Sequence, residues 1–544
     1  MVSFKHGDHY IGVDVGTGSA RACVIDHTGS IVGLASQEIK TWQPSPEFYE
    51  QSTANIWESI CTAVKQAVQQ CGVPPSKIRG LAFDATCSLA VFSNDTDSPV
   101  SVSGLDSSND RNVILWLDHR AVEETKSINA TRHPVLQYVG GGMSVEMEMP
   151  KILWLKRHMD ASLFRNCKFY DLADALTHLA TGRESRSYCS VICKQGYLVS
   201  GTDRGEEGWQ LDFLTSIGLE DLAADGFARL GGINCKNGVY LSAGECVGPL
   251  SAEAAAGLGL SPGIAVGSGV IDAYAGWIGT VGAKADLGLA EGTDHKEHVS
   301  HRLAVVAGTS TCHLAMSDDE LFVPGIWGPY RDVLFPGAYL AEGGQSATGE
   351  LIRHVVESHP AYSAAKSAAK QAGVHIYNFL NEYLRKEAKQ AQVAHVAALA
   401  KHFFFYGDLW GNRSPIADPQ MSGAIIGLRS DQSLKNLALH YYSVLEFIAL
   451  QTRQIVDTMN KHGHRISTVF MSGSQTQNDI LSKDLWGIMD QMSKPGRRVD
   501  PTADADEQRL LQAKYEVFLD MCSKQREYRE LVDKSLPSWR RDHS

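Results

Sequence analysis

Asp14, followed by the run Gly16-Thr17-Gly18-Ser19 and then Arg21, is the first set of residues in the chain whose spacing could do chemistry (YIGVDVGTGSARACVID, residues 10–26). Gly16 and Gly18 permit positive φ and close approach of a ligand to the backbone. Successive N–H groups in such a turn make an anion-binding concavity. Thr17 and Ser19 add hydroxyl donors, and Arg21 adds a fixed positive charge. A carboxylate beside a bound phosphate repels it unless a cation lies between them. Asp14 therefore suggests Mg²⁺, which is commonly held by one or two carboxylates together with phosphates. The stretch is not a P-loop, because Gly-Lys-Ser/Thr is missing, and no helix opens after the glycines as a dinucleotide fingerprint requires. An ordinary tight hairpin with Asp14 as a turn residue accounts for the same residues.

Other candidates follow along the chain. Asp272 stands between the apolar run IAVGSGVI and a small-residue helix, a position that aims a carboxylate into a cleft in α/β folds. A plain helix N-cap explains it too, but Gly267, Gly269 and Gly276 around it would leave room for a ligand. Asp84, Thr86 and Ser88 sit at a strand end, where they could grip sugar hydroxyls or close a turn. Asp118 and Arg120 fit a structural salt bridge as well as a ligand site. Lys194 is a lone cation in a mostly apolar stretch, for which the surface is the default. EGGQSATG (342–349) combines Glu342 and an amide with glycines, and GDLWGNRSPIADP places Asn412 and Arg413 in a loop; spacing assigns neither. Cys189 and Cys193 lack a second Cys/His pair that would complete a zinc site.

The elements that must position these residues repeat. LAVVAGTSTCHLAMS (303–317) is again strand, Gly308-Thr309-Ser310-Thr311 turn and strand, with no acid where the first copy has Asp14. Two such hairpins, each opening a large α/β half, indicate a duplicated fold with a cleft between the halves. KIRGLAFDATCSLAVFS reads as strand, turn and strand, MPKILWLKRHMDASLF as an amphipathic helix, and KFYDLADALTHLATG as a strand and a helix stopped by Gly182. Residues 284–301 read as a linker, and 361–400 as a helical surface insertion. HYYSVLEFIALQTRQIVDTMNKHG is a long helix stopped at Gly463, and ISTVFMSGSQTQN is a buried strand with a polar turn.

The 544 residues are 43% hydrophobic and 21% charged, a globular balance, and the net charge of −12 argues against nucleic acid. No apolar run reaches the ~18 residues of a membrane span. The eleven scattered cysteines read as free core thiols of a reducing compartment, and the start MVSFKHGDHY has no signal-peptide core. A cytoplasmic protein is expected.

Taken together, GVDVGTGSARACVID, GLAFDATCSLAVF, ILWLDHRA, PKILWLK, GSGVIDAYAGWIG, AGTSTCHLAMS, EGGQSATG and GNRSPIADP resemble the FGGY carbohydrate kinases, and within them the pentulose (ribulose-type) kinases. The resemblance implies an α/β, actin-like ATPase fold of two duplicated ribonuclease-H-type domains, 10–283 and 301–535, with ATP–Mg²⁺ and a sugar in the cleft between them. It implies that Asp272 is the catalytic base and also touches the sugar, with Asp84, Lys194 and Glu342 as further sugar contacts. By the same resemblance Asp14 lies on the metal side. Gly16, Thr17, Gly18, Ser19 and Arg21, then Gly308, Thr309, Ser310 and Thr311, match the two phosphate hairpins, while Gly473, Ser474 and Asn478 match a turn flanking the nucleotide. The implied reaction is ATP-dependent phosphorylation of D-ribulose to its 5-phosphate, and a homodimer is left open. Two departures stand out. Ser474 replaces a second glycine, and no strand–helix unit is legible after residue 478, although the first half has its corresponding late strand near KFYDLADA. A βα crossover needs roughly 30 residues, so a non-catalytic or truncated member that binds sugar with impaired ATP turnover is the alternative.

Overall fold

In the first strand, β1 (His9–Val15), Ile11, Val13 and Val15 are buried while Gly12 faces water. The same period of two recurs in β2 (Ser19–Asp26), where Ala20, Ala22 and Val24 are buried. The two pair antiparallel, β3 (Ile31–Glu38) joins β2, and α1 (Thr53–Cys71) lays Ile56, Ile60, Ala63 and Val64 over this sheet. The chain is described here from a computed structural model covering residues 7–104, 110–199, 207–281, 299–473 and 502–535. It divides into two units. The first comprises Met1–Ala275, Ser317–Phe322 and Trp327–Leu340; the second comprises Gly276–Met316, Val323–Ile326 and Ala341–Ser544.

Unit 1 continues with β4 (Ile78–Ala85), parallel to β1, and β5 (Leu89–Ser93). Next come α2 (Glu148–His158), β6 (Cys167–Asp171), α3 (Leu172–Thr181), β7 (Cys246–Pro249), β8 (Ala265–Gly267) and β9 (Val270–Ile271). The main sheet runs β7-β8-β4-β1-β2-β3, with β9 also on β4. Gly182, at φ 69°, ends α3 where the sequence marks the stop. Two expectations fail. The helix α2 is not amphipathic, because every residue from Glu148 to Leu155 is buried. Lys151 is satisfied inside: it donates to the carbonyls of Leu115 (2.6 Å), Trp116 and Glu146 (3.2 Å each). And β6, the KFYDLADA strand, belongs to a second sheet with β5, so the strand beyond β4 in the main sheet is β8.

Helix α4 (Asp272–Val281) passes from the first unit's segment into the second's. Unit 2 then has β10 (Arg302–Ala307), β11 (Thr311–Ser317), β12 (Tyr339–Gln345), α5 (Gly349–Ser358), α6 (Leu434–Lys461), β13 (Thr468–Ser472) and α7 (Ala505–Ser535). The five-stranded sheet that carries its strands runs Trp327–Arg331, β12, β11, β10, β13. The 28-residue α6 is capped by Ser433, whose hydroxyl accepts from the Asn436 N–H, and it stops before Gly463 at φ 109°. Leu437, Tyr441, Leu445, Ile448 and Ile455 of α6 form the core with Leu351, Leu380, Leu384 and Phe518. The 361–400 stretch is helical as expected, over Tyr362–Gln371 and Ile376–Gln390, and its inner residues are part of that core. Most of the linker reading, and the region after 478 where a strand–helix unit is missing from the sequence pattern, lie outside the described residues. All eleven cysteines are free, although Cys235 and Cys246 are exposed rather than in a core. Among the described residues no helix is long and apolar enough to cross a membrane.

Candidate active site

Parallel register brings three aspartates to one edge of the first unit's sheet. Asp84 of β4 is the partner of Asp14 on β1 and of Val270 on β9, and Asp272 follows β9 directly. Val15, Ala85 and Ile271 end their strands there, so this is the carboxyl edge, where α/β sheets bind ligands. Burial holds the Asp84 carboxyl well above its ordinary range, and the negative charges of Asp14 and Asp272 push it the same way against the pull of Arg21. Asp14 is raised as well, since burial outweighs its ion pair with Arg21 (3.0 Å). Asp272 opens α4 and accepts the Ala273 N–H (2.7 Å). Three partly buried acids that repel one another offer hard oxygen donors, and a divalent cation would relieve the repulsion. The donor chemistry thus fits Mg²⁺, which takes one or two carboxylates and keeps its remaining waters.

Both glycine turns are stiff. In the first, the Gly16 N–H donates to the Ser19 carbonyl (3.0 Å), Gln51 Nε2 to the Thr17 carbonyl (2.8 Å) and the Trp116 indole N–H to Thr17 Oγ1 (3.1 Å). Neither Gly16 nor Gly18 has positive φ, contrary to expectation. A Cβ on Gly16 would come within 2.9 Å of the Arg21 guanidinium, so the glycine makes room for that side chain. In the second turn, the Gly308 N–H donates to the Ser310 carbonyl (2.8 Å), and the Thr309 carbonyl accepts from the Thr348 N–H (2.9 Å) at the start of α5. Thr311 is buried, its hydroxyl on Thr348 Oγ1 (2.8 Å), while Thr309 is exposed. Gly473 does need its left-handed φ of 94°, and a Cβ there would meet the Ala307 carbonyl oxygen at 2.2 Å, just ahead of the second turn. Ser474 and Asn478 lie outside the described residues.

Of the three glycines near Asp272, Gly269 and Gly276 do not leave room for a ligand, whereas a Cβ on Gly267 would make only an ordinary contact with Ala82 at 3.4 Å. A Cβ on Gly269 would stand 2.8 Å from the Ala173 backbone, and one on Gly276 2.9 Å from Val306. Both positions are filled by protein. Lys194 is not on the surface: it is 2% exposed, on a π-turn (Val191–Gln195), with its Nζ 4.6 Å from the Trp327 ring centre. Glu342, also buried, is ion-paired with Arg413 inside unit 2. Thr86 and Ser88 bond to each other (3.1 Å), and Ser88 accepts the Trp116 N–H, so they close a turn. Arg120 is buried against Asp118 (2.8 Å) and Glu50 (3.0 Å), a structural salt bridge.

Sequence reasoning missed several contributors. Trp116 and Gln51, which pin Thr17, are distant in the chain and belong to no spacing pattern. Glu148 and Asp171 are fully buried, and burial raises both carboxyls above their ordinary range. The charge of Lys194 pulls Glu148 back down, and Gln195 donates to Glu148. Asp97, His178 and Glu184 also cluster, but Lys168 already bridges the two carboxylates at 2.7 Å each.

Comparison with known proteins agrees with this geometry. The N-terminal domain of the FGGY family of carbohydrate kinases matches residues 9–198, and the family's C-terminal domain matches 303–485. The chain is 50% identical over 480 residues to the D-ribulokinase of Saccharomyces cerevisiae, covering 87% of this chain and 67% of that protein. It is 40% identical over 564 residues to an FGGY carbohydrate kinase domain-containing protein of Homo sapiens, covering 96% and 98%. Its fold matches that of a xylulose kinase from Rhodospirillum rubrum with a TM-score of 0.72 at 18% identity, over 96% and 99% of the two chains. The chain therefore belongs to the FGGY family of carbohydrate kinases, with that family's two-domain actin-like ATPase fold. It is a sugar kinase, and the family implies ATP as its phosphoryl donor.

Proposed function

We propose that the protein transfers the γ-phosphoryl group of ATP to the terminal hydroxyl of a pentulose, D-ribulose, giving the 5-phosphate and ADP in the cytoplasm. The observation that carries the chemistry is the gathering of Asp272, Asp84 and Asp14 at one sheet edge beside the Gly16–Ser19 turn. The sugar rests on the 50% identity to a D-ribulokinase.

In this reading Asp272 accepts the proton from the sugar hydroxyl as its oxygen bonds to the γ-phosphorus and the bond to the β-phosphate oxygen breaks. General-base help of this kind is worth about 10²–10⁴ in rate, and positioning with charge stabilisation supplies the remainder. Asp84, Lys194 and Glu342 orient the sugar. The backbone and hydroxyls of Gly16–Ser19 and Gly308–Ser310 hold phosphate, with Arg21 alongside, while the buried Thr311 braces the second turn through Thr348. Gly473, Ser474 and Asn478 flank the nucleotide. Asp14 would hold Mg²⁺, which offsets phosphate charge when bound. Residues 10–283 are read as the sugar-side domain and 301–535 as the nucleotide-side domain, with 317–322 and 327–340 counted to the first unit and 276–283 to the second by their packing.

The test is a coupled ADP-release assay over ketoses, polyols and aldonates. D-ribulose is expected to give the highest kcat/KM. Preference for another pentulose would overturn the particular sugar, and preference for a polyol or an aldonate would overturn the class. ATP turnover absent with every substrate would favour the impaired-kinase alternative.

A further inference from the structure

A lysine that must meet an uncharged hydroxyl gains little from charge attraction and much from already pointing the right way. Lys194 has a long flexible stem, whose ordering is costly, yet it is 2% exposed and fixed. Its turn, Val191–Gln195, is closed by Gly196 in the left-handed region (φ 82°), whose N–H donates to the Val191 carbonyl. On one side Glu148 holds the next side chain, Gln195. On the other stands a segment from much later in the chain, Trp327–Leu340, which belongs to the same unit. Tyr330, fully buried, donates its hydroxyl to the Cys193 carbonyl (3.4 Å), and Trp327, 5% exposed, presents its ring face to the Lys194 ammonium at 4.6 Å. Gly328 bridges Val139 in parallel, and Phe322 packs its ring on Tyr138 at 5.1 Å. The late segment is thus held to the turn through Trp327 and Tyr330 and to Val139 through Gly328. Tryptophan offers the strongest ring face to a cation, and the attraction grows when water is excluded.

We infer that Trp327 is a positioning residue: its indole face fixes the Lys194 ammonium in the direction that meets the sugar. The inference rests on the reading that Lys194 contacts the sugar, and it adds a specific dependence. The identity of the side chain at 327 should set sugar affinity through Lys194 alone.

The experiment is a double-mutant cycle on the full chain, with separate KM values for sugar and ATP from W327L, W327F, K194M and W327L/K194M. K194M is expected to raise the sugar KM strongly and leave the ATP KM nearly unchanged. W327L should raise the sugar KM about five- to tenfold and W327F about two- to threefold, the span expected for a desolvated cation–π contact. The double variant should be no worse than K194M. If K194M leaves the sugar KM unchanged, the sugar reading of Lys194 falls and the inference falls with it. If K194M matters but W327L adds its full effect on top, Trp327 is packing only and the inference alone is overturned. Should W327L unfold early in a thermal melt, W327F, which keeps most of the ring volume, decides: a sugar KM equal to the parent's overturns the proposal.

Discussion

The two glycine hairpins are built on the same plan and charged differently. In the first, Asp14 faces Arg21 across the ladder and Asp84 on the parallel neighbour. In the second, the position before the last strand residue is Val306, facing Cys312 and, on its parallel neighbour, Ser472. An acid, a base and an acid are thus replaced by an apolar residue, a thiol and a hydroxyl. The turns differ too: Gly16 to Ser19 separate the last pair Val15–Ala20, whereas only Gly308 to Ser310 separate Ala307–Thr311. The two copies share the backbone device, and under the proposed function the first would handle a cation while the second would offer only donors. Hydrogen bonds to an anion need no acid nearby; a metal does.

The largest effect should come from the charged copy's edge. Asp272→Asn is expected to retain sugar binding and to lose about 10²–10⁴ in sugar-dependent turnover, measured by ADP release and sugar titration. Turnover within tenfold of the parent would remove Asp272 from its role. Asp14→Asn should lower turnover by about ten- to a hundredfold and raise the Mg²⁺ concentration needed for half-maximal rate. Its mirror, Val306→Asp, should not change the metal requirement. It should instead lower stability by about 1–3 kcal/mol in a thermal melt, because the position is partly buried and a carboxylate there faces only Cys312 and Ser472 across the ladders. A metal requirement altered equally by both would erase the distinction between the hairpins.

Smaller effects separate structural glycines from ligand-facing ones. Gly16→Ala must displace Arg21 and should lower both stability and turnover. At Gly308 a Cβ meets nothing nearer than 3.9 Å, so Gly308→Ala should leave the melting temperature unchanged and raise the ATP KM. An unchanged ATP KM would remove this turn from phosphate binding.

The smallest effect concerns acid. In unit 1, burial pushes Glu184 up, but the charge of Arg186 and bonds from Lys168 and Tyr170 outweigh it and hold the carboxyl at about 2; Asp97 is lowered in the same network. Folded values below the unfolded carboxylate range mean stability that is present above about pH 4 and lost as pH falls toward 2. Unit 2's buried Glu446 is raised instead, because burial outweighs its partner Lys514, and so it loses nothing on acidification. Hydrogen exchange corrected for intrinsic rates should show residues 167–186 losing protection before α6 as pH is lowered below 4. Simultaneous loss would show that the network does not distinguish the units.

Strand alternation, helix stops and the turn pattern made both hairpins, α3 with Gly182 and the end of α6 legible in the sequence, because those signals are local. What stayed hidden is set by contacts distant in the chain. Asp14 and Asp84 become neighbours only through parallel pairing, which leaves no trace in spacing. Lys194 looks like a surface residue until Trp327 covers it. The composition IAVGSGVI shows that glycine is tolerated beside Asp272, but not that Ala173 and Val306 take up the space. The all-round burial of α2 was masked because Glu148 and Lys151, polar by type, find their partners within the interior.

The first unit is completed by Trp327–Leu340, which the chain supplies only after entering the second unit. On the ribosome this imposes a schedule. The 65 residues between Ala275 and Leu340 take roughly 3–13 s to synthesise at 5–20 residues per second, and during that interval the turn bearing Lys194 has no Trp327 against it. Until then the nascent first unit lacks the contacts of Trp327 to Lys194, Tyr330 to Cys193 and Gly328 to Val139. A message truncated between codons 311 and 327 would encode all three clustered aspartates and both glycine turns yet leave Lys194 without its cover.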